Sequence, residues 1–211
     1  MRTPSSLRPR DVLLLAMIAF VALSVLAILA ADNSADQAIR DAVLRLASPP
    51  AMAFMHVVNL AGEWRVLFPG TVLLLLVFEP ARARWWIWIA LMIVAPVSEL
   101  VMKHVVGRPR PEAASFGFPS GHATAAAAFF GAVIYLSGTL PARPRRVVRT
   151  LAVAMILLVG TARVMLRAHW PMDVAGGAAL GLAWASLAAM LASVPPASNA
   201  VHSAIERGSA T

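Results

Sequence analysis

Residues 85–110 read WWIWIALMIVAPVSELVMKHVVGRPR, an apolar run that ends in a cluster of cations. The part from Trp85 to Met102 suits a membrane-spanning helix, which needs about 20 mostly apolar residues. Lys103 follows it directly and is the single lysine among the 18 lysines and arginines of the chain. An isolated lysine at the end of an apolar span calls for a specific reason, and a site at that helix end would supply one.

The composition indicates a membrane protein rather than a soluble domain. Of the 211 residues, 60% are apolar and 13% are charged, whereas about a quarter of the residues of a soluble domain are charged. The chain has no cysteine, which excludes disulfides and thiolate metal sites. The net charge of +8 could suggest a nucleic-acid partner, but the arginines form short blocks between apolar spans and no recognition motif is present. We therefore expect no nucleic acid as a partner, and one membrane domain over residues 1–211.

The predicted fold class is all-α, a bundle of six transmembrane helices. The first apolar run could also be a signal peptide, but its 20 residues exceed the usual h-region of about 7–15, which favours a retained helix. The second and fifth runs are the shortest and are bounded by arginines. The six predicted spans are Val12–Ala31, Trp64–Phe78, Trp85–Met102, Ala123–Leu140, Val147–Ala162 and Val174–Val194.

A stretch of mixed charge separates the first two spans. Between Asp32 and Glu63, charged residues alternate with apolar ones at a spacing that suits an amphipathic helix. We expect this helical segment to lie along the membrane surface, with a solvated connecting helix as an equally good interpretation.

The arginines also predict the orientation of the chain. The blocks before span one, between spans two and three, and between spans four and five all fall on the same side, which the positive-inside rule makes cytoplasmic. Both tails, at about 1–11 and 195–211, would then be cytoplasmic. Three polar clusters fall together on the opposite, outer face: Lys103-x6-Arg110-Pro111, Pro119-Ser120-Gly121-His122, and Arg163-x5-His169-x3-Asp173.

These clusters hold the groups that phosphate chemistry needs. A phosphate in an apolar border zone requires several cations, and Lys103, Arg110 and Arg163 fit that purpose. Ser120 or Gly121 can begin a helix whose free N–H groups face an anion. Singly, each cluster has a plainer interpretation: lipid-headgroup anchoring for the cations, an ordinary cap for the serine, or an interfacial hydrogen bond between a histidine and a carboxylate.

Other residues near the clusters carry their own expectations. Glu99 stands one helical turn before Lys103, and we expect it to pair with this lysine and orient it. Arg108 is expected to meet headgroups or solvent, with a phosphate contact as the alternative. In span six, Gly177-x3-Gly181 predicts a close helix contact.

In this order the three clusters match the motif set of the type 2 phosphatidic acid phosphatase superfamily, and the chain resembles its small bacterial six-span members. The core of the resemblance covers residues 99–177. It implies that His169 attacks phosphorus to form a phosphohistidine, that Asp173 orients His169, and that His122 protonates the leaving oxygen and then activates water. The phosphate oxygens would be held by Lys103, Arg110, Ser120, Gly121 and Arg163. Ala162 stands where the family often has a serine, which puts one minor contact in doubt.

The expected function is a lipid phosphatase of the bacterial inner membrane that acts at the outer leaflet, with the bilayer and a lipid phosphate as its partners. It would need no metal or cofactor, because no acidic or histidine cluster has metal-ligand spacing. Candidate substrates are undecaprenyl diphosphate, slightly favoured, phosphatidic acid, phosphatidylglycerophosphate and a lipid A phosphate. The alternatives are a lipid phosphotransferase that uses the same phosphohistidine, and a non-catalytic protein that binds or transports lipid phosphates.

Overall fold

The computed structural model describes residues 8–30 and 33–193. Over these ranges the chain is helical, with one 3-10 turn at Ser137–Thr139 and an isolated β-bridge in the loop after residue 106. The helices are α1 (Pro9–Leu29), α2 (Ser34–Leu44), α3 (Pro49–Leu60), α4 (Trp64–Val77), α5 (Glu79–Ala83), α6 (Trp85–Val106), α7 (Gly121–Leu136), α8 (Ala142–Met165) and α9 (Pro171–Ser193).

Within the described ranges, five helices are long and apolar enough to cross a membrane, and a bent pair makes a sixth span if it is counted as one. The single helices are α1, α6, α7 with the following 3-10 turn, α8 and α9. The pair is α3 and α4, whose axes differ by 52°. The prediction of an all-helical membrane bundle, with a helix between spans one and two, is therefore confirmed.

The second span differs from its prediction as one helix at Trp64–Phe78. Helix α4 has 14 residues, which at 1.5 Å per residue cover about 21 Å, less than the hydrocarbon thickness of about 30 Å. Helix α3 precedes it, and a turn at residues 61–63 separates the two. The charged stretch after span one is thus two helices, of which only α2 is amphipathic, while α3 is apolar and belongs to the bent pair.

The outward faces of the long helices are apolar. Large side chains such as Leu14 on α1, Phe68 on α4 and Leu157 on α8 are each more than 60% exposed. A soluble protein would turn polar side chains outward here, whereas hydrocarbon chains accept these residues without cost. The chain is a multi-pass membrane protein. Of its two predicted cytoplasmic tails, residues 1–7 and 194–211 lie outside the described ranges.

Helices α7 and α9 form the centre of the bundle through small residues. Ala126, Ala127 and Ala128 of α7 are completely buried, and a Cβ added to Gly131 would lie 2.7 Å from the Cβ of Ala185 on α9. In a lipid environment, small residues let helix backbones approach and gain packing contacts. The contact predicted for Gly177 and Gly181 is present, because both face the backbone of α7 and the serine before it.

We expect Gly177→Ala to destabilise the protein. A Cβ at residue 177 would lie 2.5 Å from the carbonyl oxygen of Ser120, and a backbone oxygen cannot rotate away. Overpacking of this kind costs about 1–3 kcal/mol. Thermal unfolding of the purified protein in detergent should show a lower midpoint. Gly138→Ala is the matched control, because the nearest atom to its added Cβ is 3.9 Å away; equal midpoints for the two variants would contradict the close contact.

Candidate active site

A loop of residues 107–120 joins the end of α6 to the start of α7. Gly107 ends α6 in the left-handed conformation, at φ 66°, which glycine adopts without strain. The chain then folds back on itself, and the N–H of Gly117 donates to the carbonyl of Arg108 at 2.6 Å. This return brings Lys103 on α6 and Ser120 before α7 to the same end of the bundle.

Lys103 is held by the carboxylate predicted for it. Its ammonium group forms an ion pair with Glu99 one turn earlier on α6, and Glu99 is only 7% exposed. The same carboxylate lies against α7, since a Cβ added to Gly121 would be 3.0 Å from Glu99 Oε1. Glycine at residue 121 thus permits the close approach of the first two polar clusters.

Ser120 and the residues after it present hydrogen-bond donors at a helix start. Ser120 caps α7, is completely buried, and donates its backbone N–H to the carbonyl of Asp173 at 2.9 Å. Its hydroxyl has no hydrogen-bond partner among the described residues. Buried hydroxyls are normally satisfied, so an external acceptor suits this one. The free N–H groups of the first turn of α7 add to a position that favours an anion.

The pairing predicted for His169 and Asp173 is present. Nδ1 of His169 lies 3.3 Å from Oδ2 of Asp173, and both side chains are at most 1% exposed. The two residues do not share a helix face, however, because α9 begins only at Pro171 and His169 lies in the turn before it. Asp173 is in the first turn of α9, and its Oδ2 also accepts the N–H of Trp170 at 3.1 Å.

Arg163 ends α8 beside polar residues of the bent helix pair. Its Nη1 donates to Oδ1 of Asn59 at 2.7 Å, and Asn59 in turn contacts Glu63 at 3.5 Å. Nε2 of His122 lies 4.0 Å from the same glutamate. The sequence interpretation missed Asn59 and Glu63. Asn59 lies at the end of α3 and Glu63 lies in the break before α4. A prediction of that break would have placed both residues near the site.

The site residues of the three clusters come together. The N–H of Ser120 donates to the carbonyl of Asp173, and a Cβ added to Gly117 would lie 3.3 Å from Arg110 and 2.6 Å from Asp173, so the clusters meet at one end of the bundle. Arg110 is also fixed by its Nε, which donates to the carbonyl of Phe116 at 3.2 Å. Among the described residues, no group of three or more histidine, aspartate or glutamate side chains could hold a metal ion.

The expectation for Arg108 is wrong. Instead of meeting headgroups or solvent, its side chain is 1% exposed and forms ion pairs with Asp36 of α2 and Asp173 of α9. These two carboxylates explain the burial, because a guanidinium enters an apolar interior only with charged partners. Sequence interpretation also missed Asp36, which it placed on a surface helix but which is only 4% exposed.

Burial also affects the acid–base properties of His169. It lies in the turn between α8 and α9, and burial lowers the pKa of its imidazole below the usual 6.5. The positive charges of Arg163 and Arg110 lower this pKa too, whereas Asp173 raises it through a hydrogen bond and its charge. A neutral imidazole with Nδ1 towards a carboxylate leaves Nε2 with a lone pair, as a nucleophile requires.

Comparison with known families gives a match over more than half of the chain. The model of the PAP2 superfamily matches residues 84–194, which include every residue of the three polar clusters. Among curated proteins, phosphatidylglycerophosphatase B of Bacillus subtilis is 32% identical over 163 residues, covering 72% of this chain and 80% of that protein. A lipid A 1-phosphatase of Rhizobium johnstonii is 36% identical over 103 residues, covering 41% of this chain and 38% of that protein.

Solved structures show the same architecture. The crystal structure of a transmembrane PAP2-type phosphatidylglycerolphosphate phosphatase from Bacillus subtilis superposes with a TM-score of 0.73 at 27% identity, over 83% of this chain and 93% of that one. The crystal structure of LpxE from Aquifex aeolicus superposes with a TM-score of 0.61 at 18% identity, over 76% of this chain and 96% of that one. The second likeness shows the fold alone.

Proposed function

This chain belongs to the PAP2 superfamily and is a membrane lipid phosphatase; from that premise we propose that it removes a terminal phosphate from a lipid through a phosphohistidine at His169. The observation that carries the proposal is the buried pair of His169 and Asp173, 3.3 Å apart, among the cations of the site. A protein that only binds phosphate needs the cations, but it does not need both His169, oriented by a carboxylate, and His122.

The proposed reaction has two steps. In the first, Nε2 of His169 bonds to phosphorus while the bond from phosphorus to the lipid oxygen breaks, and His122 gives that oxygen a proton. In the second, His122 takes a proton from water, the water oxygen bonds to phosphorus, and the bond to His169 breaks. Asp173 keeps Nδ1 of His169 protonated and offsets the positive charge that the ring gains.

The remaining cluster residues would stabilise the charge on the phosphate. Lys103 supplies a compact charge, Arg110 and Arg163 supply planar forks, and Ser120 and Gly121 supply donors at the start of α7. Glu99 would orient the lysine, an assignment that their ion pair supports. Asn59 accepts a hydrogen bond from Arg163, and a backbone carbonyl accepts one from Arg110. These bonds help to position both cations. These charges would act most strongly on the transition state, whose oxygens carry the most charge.

We further propose that the site faces the outer side of the bacterial inner membrane and that residues 1–211 act as one domain. All site residues lie at one end of the long helices. The connections at the other end carry Arg82, Arg84, Arg143, Arg145 and Arg146, none of which belongs to the site. By the positive-inside rule the arginine-rich end is cytoplasmic.

The substrate would be a lipid whose tail stays in the bilayer while its phosphate enters the site. The names of the relatives favour phosphatidylglycerophosphate as the first lipid to test, with lipid A phosphate next. They do not add support to the earlier preference for undecaprenyl diphosphate, which stays in the panel with phosphatidic acid.

The decisive experiment measures phosphate release by the purified protein in detergent across these four lipids, with and without a chelator. We expect release from at least one lipid, undiminished by the chelator. Release that stops with the chelator and returns with a divalent ion would contradict the metal-free mechanism. Transfer of the phosphate to an added alcohol in preference to water would make the protein a phosphotransferase. Tight lipid binding with no release by any route would leave it a binding protein.

The pH dependence should reflect the lowered pKa of His169. Below that pKa the imidazole is protonated and has no lone pair for attack. Because burial lowers the pKa from the usual 6.5, the acid-side fall in kcat/KM should come below pH 6.5. Asp173→Asn removes a carboxylate that raises this pKa, so residual activity should persist to still lower pH. Initial rates from pH 4 to 9 test this, and an acid limb above pH 6.5 would contradict it.

A further inference from the structure

A continuous chain of buried charges runs from α2 to the pair of His169 and Asp173. Nη2 of Arg108 donates to Oδ2 of Asp36 at 2.7 Å, and Nη1 donates to Oδ1 of Asp173 at 2.9 Å. The three side chains are at most 3% exposed. One guanidinium thus joins a carboxylate of the segment between spans one and two to the carboxylate that contacts His169.

Both oxygens of Asp173 are occupied as a result. Oδ1 accepts from Arg108, while Oδ2 accepts the N–H of Trp170 and faces Nδ1 of His169. A carboxylate bound on one oxygen alone could rotate about its last torsion, which is a soft one. Bonds on both oxygens fix the plane of the carboxylate, and hence the direction from which it meets the imidazole.

Asp36 has a second contact at the same place. Its Oδ1 accepts the N–H of Met172 at 2.8 Å, in the first turn of α9, so it bonds both to the guanidinium and to the helix that carries Asp173. The first N–H groups of a helix have no partner within it, and this carboxylate supplies one. Asp36 therefore fixes Arg108 and the start of α9 relative to each other.

The arrangement depends on charge as well as on shape. Arg108 between two carboxylates leaves a net negative charge for His169 to face, whereas Arg108 paired with Asp173 alone would neutralise it. The guanidinium presents separate N–H donors to the two acids in a fixed plane, whereas a lysine ammonium is a compact charge on a flexible stem. The ring of Trp170 lies 5.6 Å from the guanidinium carbon and gives it a further favourable contact.

We propose that Asp36 and Arg108 are positioning residues for the reaction at His169, acting through Asp173. They touch neither the phosphate nor the reacting atoms. Arg108 sets the orientation of the carboxylate, and Asp36 keeps Arg108 in place and preserves the negative charge that the imidazole meets. The inference rests on the proposed function for its catalytic consequence, but the effect on the His169 ring is independent of turnover.

The first test is Asp36→Asn, which removes a charge and keeps the size of the side chain. We expect kcat to fall about 10- to 100-fold, as for other losses of a group that orients a reacting side chain. KM and the inhibition constant of inorganic phosphate should stay near their wild-type values, because Lys103, Arg110 and Arg163 are unchanged. A fall in phosphate affinity that matches the fall in rate would overturn the positioning role.

The second measurement follows the ring of His169 by NMR titration of protein with labelled histidine in detergent. The groups that face this imidazole are Asp173 on its own segment, Arg163 of α8, Arg110 of the loop and His122 of α7. With these unchanged, Asp36→Asn should lower the titration midpoint of His169, because Arg108 then neutralises Asp173. An unchanged midpoint would overturn the inference even in a protein that releases no phosphate.

Two further variants complete the design. Asp41→Asn makes the same charge change on the exposed side of α2 and should leave kcat, KM and the midpoint unchanged. Arg108→Lys keeps the charge but loses the fork, and it should lower kcat as Asp36→Asn does; it also serves if Asp36→Asn does not fold. Full kcat in Arg108→Lys would show that the fork is not needed and would overturn the proposal.

Absence of phosphate release in the wild type would instead refute the proposed function, and the titration alone would then decide the positioning role.

Discussion

His169→Ala should reduce phosphate release by at least about 10⁴-fold, the scale seen when an enzyme loses its nucleophile. The ring is 1% exposed and pairs with Asp173, so the substitution removes the side chain that bonds to phosphorus in the first step of the proposed mechanism. Protein exposed to substrate with a labelled phosphate and then denatured at alkaline pH should carry the label in the wild type and not in the variant. Alkali-stable, acid-labile label is the behaviour expected of a phosphohistidine.

The control for this substitution is His56→Ala. His56 is an exposed histidine on α3, where no role is assigned to it, and its loss should leave rate and labelling unchanged. Undiminished release by His169→Ala would rule out this residue as the nucleophile. If His122→Ala accumulated label on His169 while release slowed, the second step of the proposed reaction would be supported as well.

The second large effect is expected at Lys103, where one substitution should damage both stability and turnover. Lys103→Met leaves the carboxylate of Glu99, which is 7% exposed, without its ion-pair partner. Breaking a buried pair in this way costs about 3–5 kcal/mol, and protonation of the acid would reduce that cost. Loss of a charge that stabilises the transition state should also lower kcat about 10²- to 10³-fold.

A double substitution separates the two effects. Glu99→Gln combined with Lys103→Met removes both charges, so the thermal midpoint should return most of the way to that of the wild type. Turnover should not return, because the phosphate still lacks its compact cation. Recovery of turnover in the double variant would show that Lys103 serves only to neutralise Glu99, and it would remove this lysine from the phosphate site.

The sequence was sufficient for the parts of the site that lie at helix ends. Lys103, Ser120, His122, Arg163 and His169 each stand where an apolar run meets a polar boundary, and the alternation of spans brings those boundaries to one face. The pairing of Glu99 with Lys103 follows from helical spacing alone. Local rules of this kind need no knowledge of how the helices pack, because they depend only on helix ends and on neighbours along one helix.

The parts that failed depend on packing between distant segments. Asp36 and Arg108 are 72 positions apart, and nothing in the local pattern shows that α2 packs against the start of α9. Viewed alone, α2 is an amphipathic helix whose charges should face water. The bent pair of α3 and α4 was missed for a related reason, since its first half lies in a stretch whose beginning is charged. Sequence rules place charged residues on the surface, so they miss charged residues that are buried in ion pairs between distant segments.

The contacts of Asp36 and Asn59 have a consequence for how the protein can be divided. A fragment that starts at Trp85 would keep every named residue of the three motifs, yet it would lack the carboxylate that contacts Arg108 and the amide that contacts Arg163. Exchange of the first 84 residues with those of a relative would place foreign partners beside an unchanged motif set. We therefore expect the first 84 residues to be needed for catalysis, and chimeras joined at this boundary should be inactive unless both contacts are restored.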